Sequence, residues 1–266
     1  MKYLILTITK NPCEKDNVLK NMQDLSSFPN KFQYLVYSNY SLPDAIQEDF
    51  TNYNEMFYNL RNVIRKYDYL LLLHGKDNYN PIKSEVITKY VNKKHFNYLH
   101  NGATYNNSHY FYNKPYNYTK NLSTYIEPAY RDYSIFHNIS CITVLTKQIN
   151  FKLFQNTQTL WDFLLWLPIQ SKVYKTPALA THINLQPLTY QQYKEQTIQQ
   201  YQLQLQDLQR LYSVYSQSYM GKKLLSEINR INTILGHYTG YSNFSTFLHR
   251  KKDTNYFLKR EYSIKY

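Results

Sequence analysis

Apolar residues in this chain fall into short runs that alternate with segments of helical periodicity. Residues 2–9 and 32–37 form runs of strand length, and Leu19, Met22 and Leu25 place an apolar stripe on the segment between them. Strand, helix and strand at this spacing predict a right-handed crossover unit with parallel strands.

The most apolar run is Leu70–Leu73, which follows an amphipathic segment over residues 54–66. It is too short for a buried helix, so it predicts a strand buried within a parallel sheet. Residues 82–93 predict a helix with Pro81 in its first turn, and residues 96–99 predict a fourth strand. The first hundred residues therefore predict a βαβαβαβ order, the Rossmann-like half of an α/β domain.

The rest of the chain is less regular. Residues 100–138 are rich in Asn, Tyr and His and predict an ordered insertion. The pattern then predicts a strand over residues 142–145, helices over residues 147–154 and 159–167, and a polar segment over residues 175–184.

Two long, Gln-rich helical patterns, residues 190–219 and 222–235, predict a helical hairpin joined at Met220 and Gly221. This hairpin is expected to pack against the sheet. The closing residues of the chain are strongly basic.

Composition indicates the kind of partner. The net charge is +13 and the pI is about 9.4, which favours an anionic partner: nucleic acid, a membrane surface or a phosphate-bearing substrate. The two cysteines, Cys13 and Cys141, have neither metal-binding nor redox spacing. No run approaches the roughly 18 apolar residues of a membrane span. A reduced, cytoplasmic protein is expected, and its basic surface would also suit the inner face of the membrane.

Three groups of residues are candidates for chemistry. His74, Gly75, Lys76 and Asp77 follow the central strand, where open α/β sheets bind ligands, although these residues are also typical of a turn. Asp162 is the one acid of an apolar helix, where burial would raise its pKa and suit it to act as a base, or where it could pair structurally.

The third group is the basic run of residues 249–252, which includes Arg250 and Lys251. It could bind phosphate oxygens or form a solvated terminal segment.

Residues 67–84, YDYLLLLHGKDNYNPIKS, resemble the central segment of the core-2/I-branching glycosyltransferases, which include β-1,6-N-acetylglucosaminyltransferases and peptide O-xylosyltransferases. Further similarities are Ser140 with residues 144–147, residues 160–163 (LWDF), and the closing residues 247–253 (FLHRKKD). In this chain His74 stands where the family has a serine, Ile142 stands where it has a tryptophan, and Asp162 stands where it has a glutamate.

The resemblance implies a single GT-A-like domain over residues 1–266 with a Rossmann-type mixed sheet flanked by helices. The carboxyl-terminal helical hairpin is predicted from its periodicity and has no matching segment in that family. Residues 1–100 would bind the nucleotide-sugar and residues 101–185 would provide the acceptor and catalytic half. Residues 186–266 would form the helical region and the basic end.

The implied activity is inverting, metal-independent transfer of N-acetylglucosamine or a xylose-like sugar from a UDP-sugar to a saccharide hydroxyl. Asp162 would act as the base, and Arg250 with Lys251 would bind the diphosphate. His74, Gly75, Lys76 and Asp77 would line the pocket for donor and acceptor. No cofactor beyond the UDP-sugar substrate and no metal is expected. The absence of an Asp-x-Asp sequence agrees with this, because a basic pair could stabilise the leaving group instead.

Two alternatives remain open from the sequence. The first is a metal-dependent inverting GT-A glycosyltransferase with Asp77 on a divalent ion. The second is a basic, Tyr-rich nucleic-acid-binding protein, which would need aromatic and basic residues interleaved on exposed strands. The apolar strands and the lack of a known nucleic-acid-binding motif favour no nucleic-acid partner.

Overall fold

The computed structural model describes residues 1–26, 31–79, 82–105, 139–183 and 190–240. Within these ranges eight strands form one mixed sheet in the order β3-β2-β1-β4-β7-β6-β8-β5. The strands are β1 (Tyr3–Thr9), β2 (Phe32–Ser38), β3 (Ile46–Gln47), β4 (Tyr69–Leu72), β5 (Asn78–Tyr79), β6 (Tyr98–Tyr105), β7 (Ile142–Leu145) and β8 (Val173–Ile183). The α-helices are α1 (Lys15–Ser26), α2 (Tyr53–Asn59), α3 (Arg61–Ile64), α4 (Ile82–Lys94), α5 (Trp161–Trp166), α6 (Tyr190–Tyr215) and α7 (Tyr219–Gly240).

The amino-terminal half has the predicted alternation of strands and helices. β1 lies between β2 and β4 and runs parallel to both, with Tyr3 paired to Phe32 on one side and to Tyr69 on the other. Every residue of β1 and β4 is buried, as expected for central strands covered on both faces. The apolar run that marks β4 in the sequence therefore lies in the middle of the core.

The rest of the sheet mixes strand directions, with β7 and β5 running opposite to the other strands. β7 lies antiparallel between β4 and β6, and β6 then pairs in parallel with β8. The sequence predicts only a polar segment over residues 175–184 and identifies no strand there, whereas in the structure β8 spans Val173–Ile183. Its backbone hydrogen bonds go to β6 and β5, so its strand conformation depends on distant partners rather than on its own apolar content.

Two predicted helices differ from the structure. The helix expected over residues 54–66 is interrupted at Leu60, which ends α2 and begins α3. The helix expected over residues 147–154 consists of two 3₁₀ segments, Thr146–Gln148 and Phe151–Phe154. Aromatic rings of these two regions pack together, since Phe57 lies 4.7 Å from Phe154 and 5.6 Å from Phe151 between ring centroids.

The predicted helical hairpin is present, formed by α6 and α7. The turn lies at residues 216–218 rather than at Met220 and Gly221, because Ser218 Oγ accepts the Met220 amide at the start of α7. Leu208 of α6 and Leu224 of α7 are fully buried in the same core cluster as Leu164 of α5. No helix within the described residues is long and apolar enough to cross a bilayer.

Candidate functional site

The carboxyl ends of β1, β2 and β4 meet at one edge of the sheet because these strands are parallel. Such an edge is the usual ligand crevice of an open α/β sheet. Thr9 ends β1, Ser38 ends β2, and the chain continues beyond β4 through Leu73 to His74. The candidate site is built from the side chains that converge there.

Glu14 is the central acid of this edge. A 3₁₀ turn over Pro12–Glu14 follows β1, with Asn11 accepting the Cys13 amide as its cap. This turn folds Glu14 back over the end of β1, where its carboxylate accepts a 2.6 Å hydrogen bond from the Thr9 hydroxyl and is 8% exposed. Nδ1 of His74 lies 3.6 Å from the other carboxylate oxygen. The site thus pairs a buried acid with a half-buried imidazole.

Burial lowers the pKa of the His74 imidazole below its ordinary value of 6.5, and Lys76 lowers it further, while Asp77 and Glu14 oppose the shift. The amide of Lys76 lies 3.4 Å from Nδ1 and donates to it. A neutral imidazole has one ring N–H, which can donate a hydrogen bond. At neutral pH, His74 is therefore a neutral side chain that can donate one hydrogen bond.

Asp77 has a different environment from His74. Its side chain is completely buried, and its carboxylate accepts a 2.7 Å hydrogen bond from the Ser140 hydroxyl, whose oxygen in turn accepts the His74 amide. Its carbonyl accepts from the side-chain amides of Asn17 and Asn21, and Asn17 also donates to the Gly75 carbonyl. These bonds hold the shape of the turn beyond β4.

Aromatic residues form the side of the crevice nearest to α5. The Tyr40 hydroxyl lies 3.2 Å from that of Thr9, and the Lys10 ammonium lies 5.9 Å from the ring centroid of Tyr53. Burial, and secondarily the charge of Glu14, raises the pKa of Tyr53 to about 12. Tyr53 therefore stays protonated across the physiological range.

The helix that carries Asp162 begins beside this aromatic side. The ring of Trp161 lies 5.9 Å from Tyr53 and 5.4 Å from Phe57 between centroids. The structure thus brings the start of α5 next to the strand-end cluster. Arg250 and Lys251, the two predicted diphosphate ligands, lie outside the described residues.

Sequence reasoning missed Glu14, Thr9 and Tyr53. A signal for Glu14 was present, because it follows the first strand directly, as His74 follows the central one, and parallel strands bring their carboxyl ends together. Tyr53 gave no such signal among 31 tyrosines.

Within the described residues, no group of three or more His, Cys, Asp and Glu side chains could hold a metal ion. The two acids nearest the edge are already engaged, Glu14 by Thr9 and Asp77 by Ser140.

Comparison with solved structures identifies the architecture. The chain is similar to S. aureus TarS residues 1–349, with a TM-score of 0.58 and 10% identity over 95% of this chain and 74% of that one. The complex of TarS with UDP-GlcNAc matches at a TM-score of 0.55 and 10% identity, covering 98% and 78% of the two chains. The complex with UDP matches at 0.53 and 11% identity, covering 91% and 73%.

The fold is GT-A-like. The mixed sheet, its flanking helices and the carboxyl-terminal hairpin confirm the predicted fold class. No protein-family profile and no curated protein sequence matches the chain. The resemblance to the core-2/I-branching glycosyltransferases therefore remains a prediction within this GT-A-like fold.

Proposed function

We propose that this protein is an inverting, metal-independent glycosyltransferase that moves a sugar from a UDP-sugar to a saccharide hydroxyl. The observation that carries the proposal is a GT-A-like sheet whose strand-end crevice holds the Glu14–His74 cluster. Its similarity to TarS, which was solved with UDP and with UDP-GlcNAc, supports a UDP-sugar donor. N-acetylglucosamine and a xylose-like sugar are the proposed donor sugars.

In the proposed step, Asp162 takes the proton of the acceptor hydroxyl as its oxygen bonds to the anomeric carbon. The bond from that carbon to the UDP oxygen breaks on the opposite face, and UDP leaves with the electron pair. The leaving diphosphate develops negative charge, which preorganised donors must stabilise. Arg250 and Lys251 are proposed for this role, since a guanidinium suits paired phosphate oxygens.

The pocket for donor and acceptor is proposed to lie along His74, Gly75 and Lys76. Asp77, the fourth residue predicted for this pocket, is completely buried and accepts a hydrogen bond from Ser140, so it is proposed to hold the pocket's shape. The neutral imidazole of His74 offers a hydrogen-bond donor there. The basic character of the whole chain, with a net charge of +13, favours the approach of an anionic donor and would also support peripheral contact with an anionic membrane surface.

The environment of Asp77 favours this proposal over the metal-dependent alternative. A metal ligand in the crevice would need an accessible carboxylate, whereas Asp77 is completely buried and bonded to Ser140. Similarly, the burial of β1 and β4 leaves these two strands no exposed aromatic surface on which nucleic-acid bases could stack.

The test is calorimetric titration of the purified protein with UDP, UDP-GlcNAc, UDP-xylose and GDP, each with and without EDTA. We expect UDP and at least one UDP-sugar to bind in preference to GDP. We also expect slow hydrolysis of that donor to survive EDTA. Activity that is lost with EDTA and restored by manganese would overturn metal independence. Failure to bind any nucleotide, together with tight binding of a single-stranded oligonucleotide, would overturn the glycosyltransferase proposal.

A further inference from the structure

The hairpin formed by α6 and α7 contributes no residue to the proposed reaction, yet one of its acids reaches the segment that carries Asp162. Asp207 of α6 is 4% exposed. One of its carboxylate oxygens accepts three hydrogen bonds: 2.9 Å from the Gln158 amide, 2.8 Å from the Thr159 amide and 2.7 Å from the Thr159 hydroxyl. Hydrogen bonds to an ionised acceptor are about twice as strong as neutral ones.

The same stretch of backbone is held from its other side by α2. The side-chain amide of Asn54 donates to the Thr157 hydroxyl at 2.8 Å and to the Thr159 carbonyl at 2.9 Å. Asn54 is itself 1% exposed. Residues 157–159 are therefore bound between two buried polar side chains that belong to different parts of the fold.

This anchoring has a conformational reason. Leu160, which immediately precedes α5, has a φ of 64° in the left-handed region. A leucine in this conformation costs on the order of 1–2 kcal/mol, so surrounding interactions must hold it. Asp207 and Asn54 supply them directly before the turn that sets the direction of α5.

The hairpin also holds the chain beyond α5. The Lys223 ammonium donates hydrogen bonds to two backbone carbonyls, that of Leu167 at 3.2 Å and that of Ile169 at 2.8 Å. The same ammonium lies 3.9 Å from the ring centroid of Trp166. The Tyr219 hydroxyl donates to the Pro168 carbonyl at 2.7 Å. Burial lowers the pKa of Lys223 to about 8, so its ammonium form predominates at neutral pH. Side chains of one hairpin thus contact the backbone at both ends of α5.

We propose that Asp207 is a positioning residue, which sets the start of α5 and thereby the place of Asp162 relative to the strand-end crevice. This inference rests on the proposed function. It assigns to the hairpin the support of the catalytic segment, and it predicts that Asp207 affects the chemical step and not donor binding. A displacement of about 1 Å at a reacting group can cost on the order of 100-fold in rate.

The test compares Asp207→Ala, Asp207→Asn and a matched control, Glu227→Ala. Glu227 is also a buried acid of the hairpin, but it pairs with Arg230 one turn along α7. We expect Asp207→Ala to lower kcat by about 10- to 100-fold, with Asp207→Asn intermediate and KM for the donor almost unchanged. Glu227→Ala should lower thermal stability but leave kcat of the folded enzyme near that of wild type.

A second series uses the partner hydroxyl. Thr159→Ser keeps the donor to Asp207 and should preserve kcat, whereas Thr159→Val removes it and should lower kcat. Equal kcat values for the Ser and Val variants, or equal losses of kcat in Asp207→Ala and Glu227→Ala, would overturn the inference. Either result would show that Asp207 only stabilises the fold in general.

Hydrogen exchange separates failure of this inference from failure of the proposed function, because it needs no activity. Asp207→Ala should speed exchange of the Gln158 and Thr159 amides while leaving the β4 amides unchanged, and Glu227→Ala should speed neither. Unchanged exchange at Gln158 and Thr159 would overturn the positioning role even in a fully active enzyme. If exchange responds as expected but the wild type binds no UDP-sugar, the proposed function fails and the catalytic consequence fails with it.

Discussion

The carboxylate of Glu14 occupies the space that a β-carbon on residue 75 would need. A methyl group added to Gly75 would overlap Oε2 of Glu14 and lie 3.1 Å from Cβ of Thr9. The φ angle of Gly75 is not positive, so space rather than backbone freedom requires glycine at this position. The 3₁₀ turn that follows β1 and the turn beyond β4 are therefore packed directly against each other.

We predict that Gly75→Ala lowers the free energy of unfolding by about 1–3 kcal/mol, because Glu14 must leave its buried hydrogen bond with Thr9. Denaturant unfolding measures the change. In the Glu14→Ala background the overlap with the carboxylate is absent and only the close contact with Thr9 remains, so Gly75→Ala should then cost less than it does in the wild type. Equal losses in the two backgrounds would contradict the contact.

Because the pKa of His74 is lowered in the folded protein, we predict that the free energy of unfolding falls as the solution becomes more acidic. As the pH falls from 6.5 toward the lower folded value, the unfolded chain binds a proton that the folded chain does not, so stability should fall. His74→Gln should remove this component. Unfolding free energies of both proteins between pH 5 and 7.5 check it: the wild type should lose more stability on acidification than the variant. Parallel pH dependences would show that burial does not depress this pKa.

Asp162→Asn should separate chemistry from donor binding. Loss of the proposed base is expected to lower turnover by about 10²–10⁴-fold. UDP affinity should stay near that of wild type, because the diphosphate keeps its partners. Calorimetry with UDP and steady-state transfer assays measure the two effects. Turnover equal to wild type would remove Asp162 from the mechanism.

The double variant Arg250→Ala/Lys251→Ala should behave differently. These side chains are proposed to bind UDP and to stabilise the leaving group, so UDP affinity should fall together with turnover, the latter by about 10²–10³-fold. If the pair were instead part of a solvated segment, its loss would change stability by at most about 1 kcal/mol and leave UDP affinity unchanged. UDP affinity equal to wild type would end the assignment of this pair to the diphosphate.

Gly221 is expected to be less tolerant than Gly75. A β-carbon there would overlap the carbonyl oxygen of Ser216 and lie 2.9 Å from that of Tyr215. Both are backbone atoms of the hairpin turn, which cannot rotate away as a side chain can. Overpacking typically costs about 1–3 kcal/mol and occasionally more, so Gly221→Ala should exceed the loss in Gly75→Ala. The melting temperatures of the two variants decide the order.

Local pattern was sufficient for much of the fold. The apolar runs of β1 and β4 identify buried strands because each is buried along its whole length, and the amphipathic residues of α1 and of the hairpin identify helices by their spacing. The strand-to-loop exit at His74 also pointed to the functional edge of the sheet, since parallel strands in open α/β sheets present their carboxyl ends to ligands.

Tertiary structure alone decided which side chains meet. β8 is a strand because β6 and β5 offer it backbone partners, and β7 is antiparallel because of its neighbours in the sheet. Glu14 meets His74 across 60 positions of sequence, and Asp207 meets Thr159 across 48. Hydrogen bonds and close packing act between atoms that lie a few ångströms apart in space. The number of residues between two positions in the sequence does not determine whether their side chains come that close. The sequence therefore determined the central strands β1 and β4, the helices α1, α6 and α7 and the candidate edge, whereas β8 and the contacts that arrange the site exist only in the folded protein.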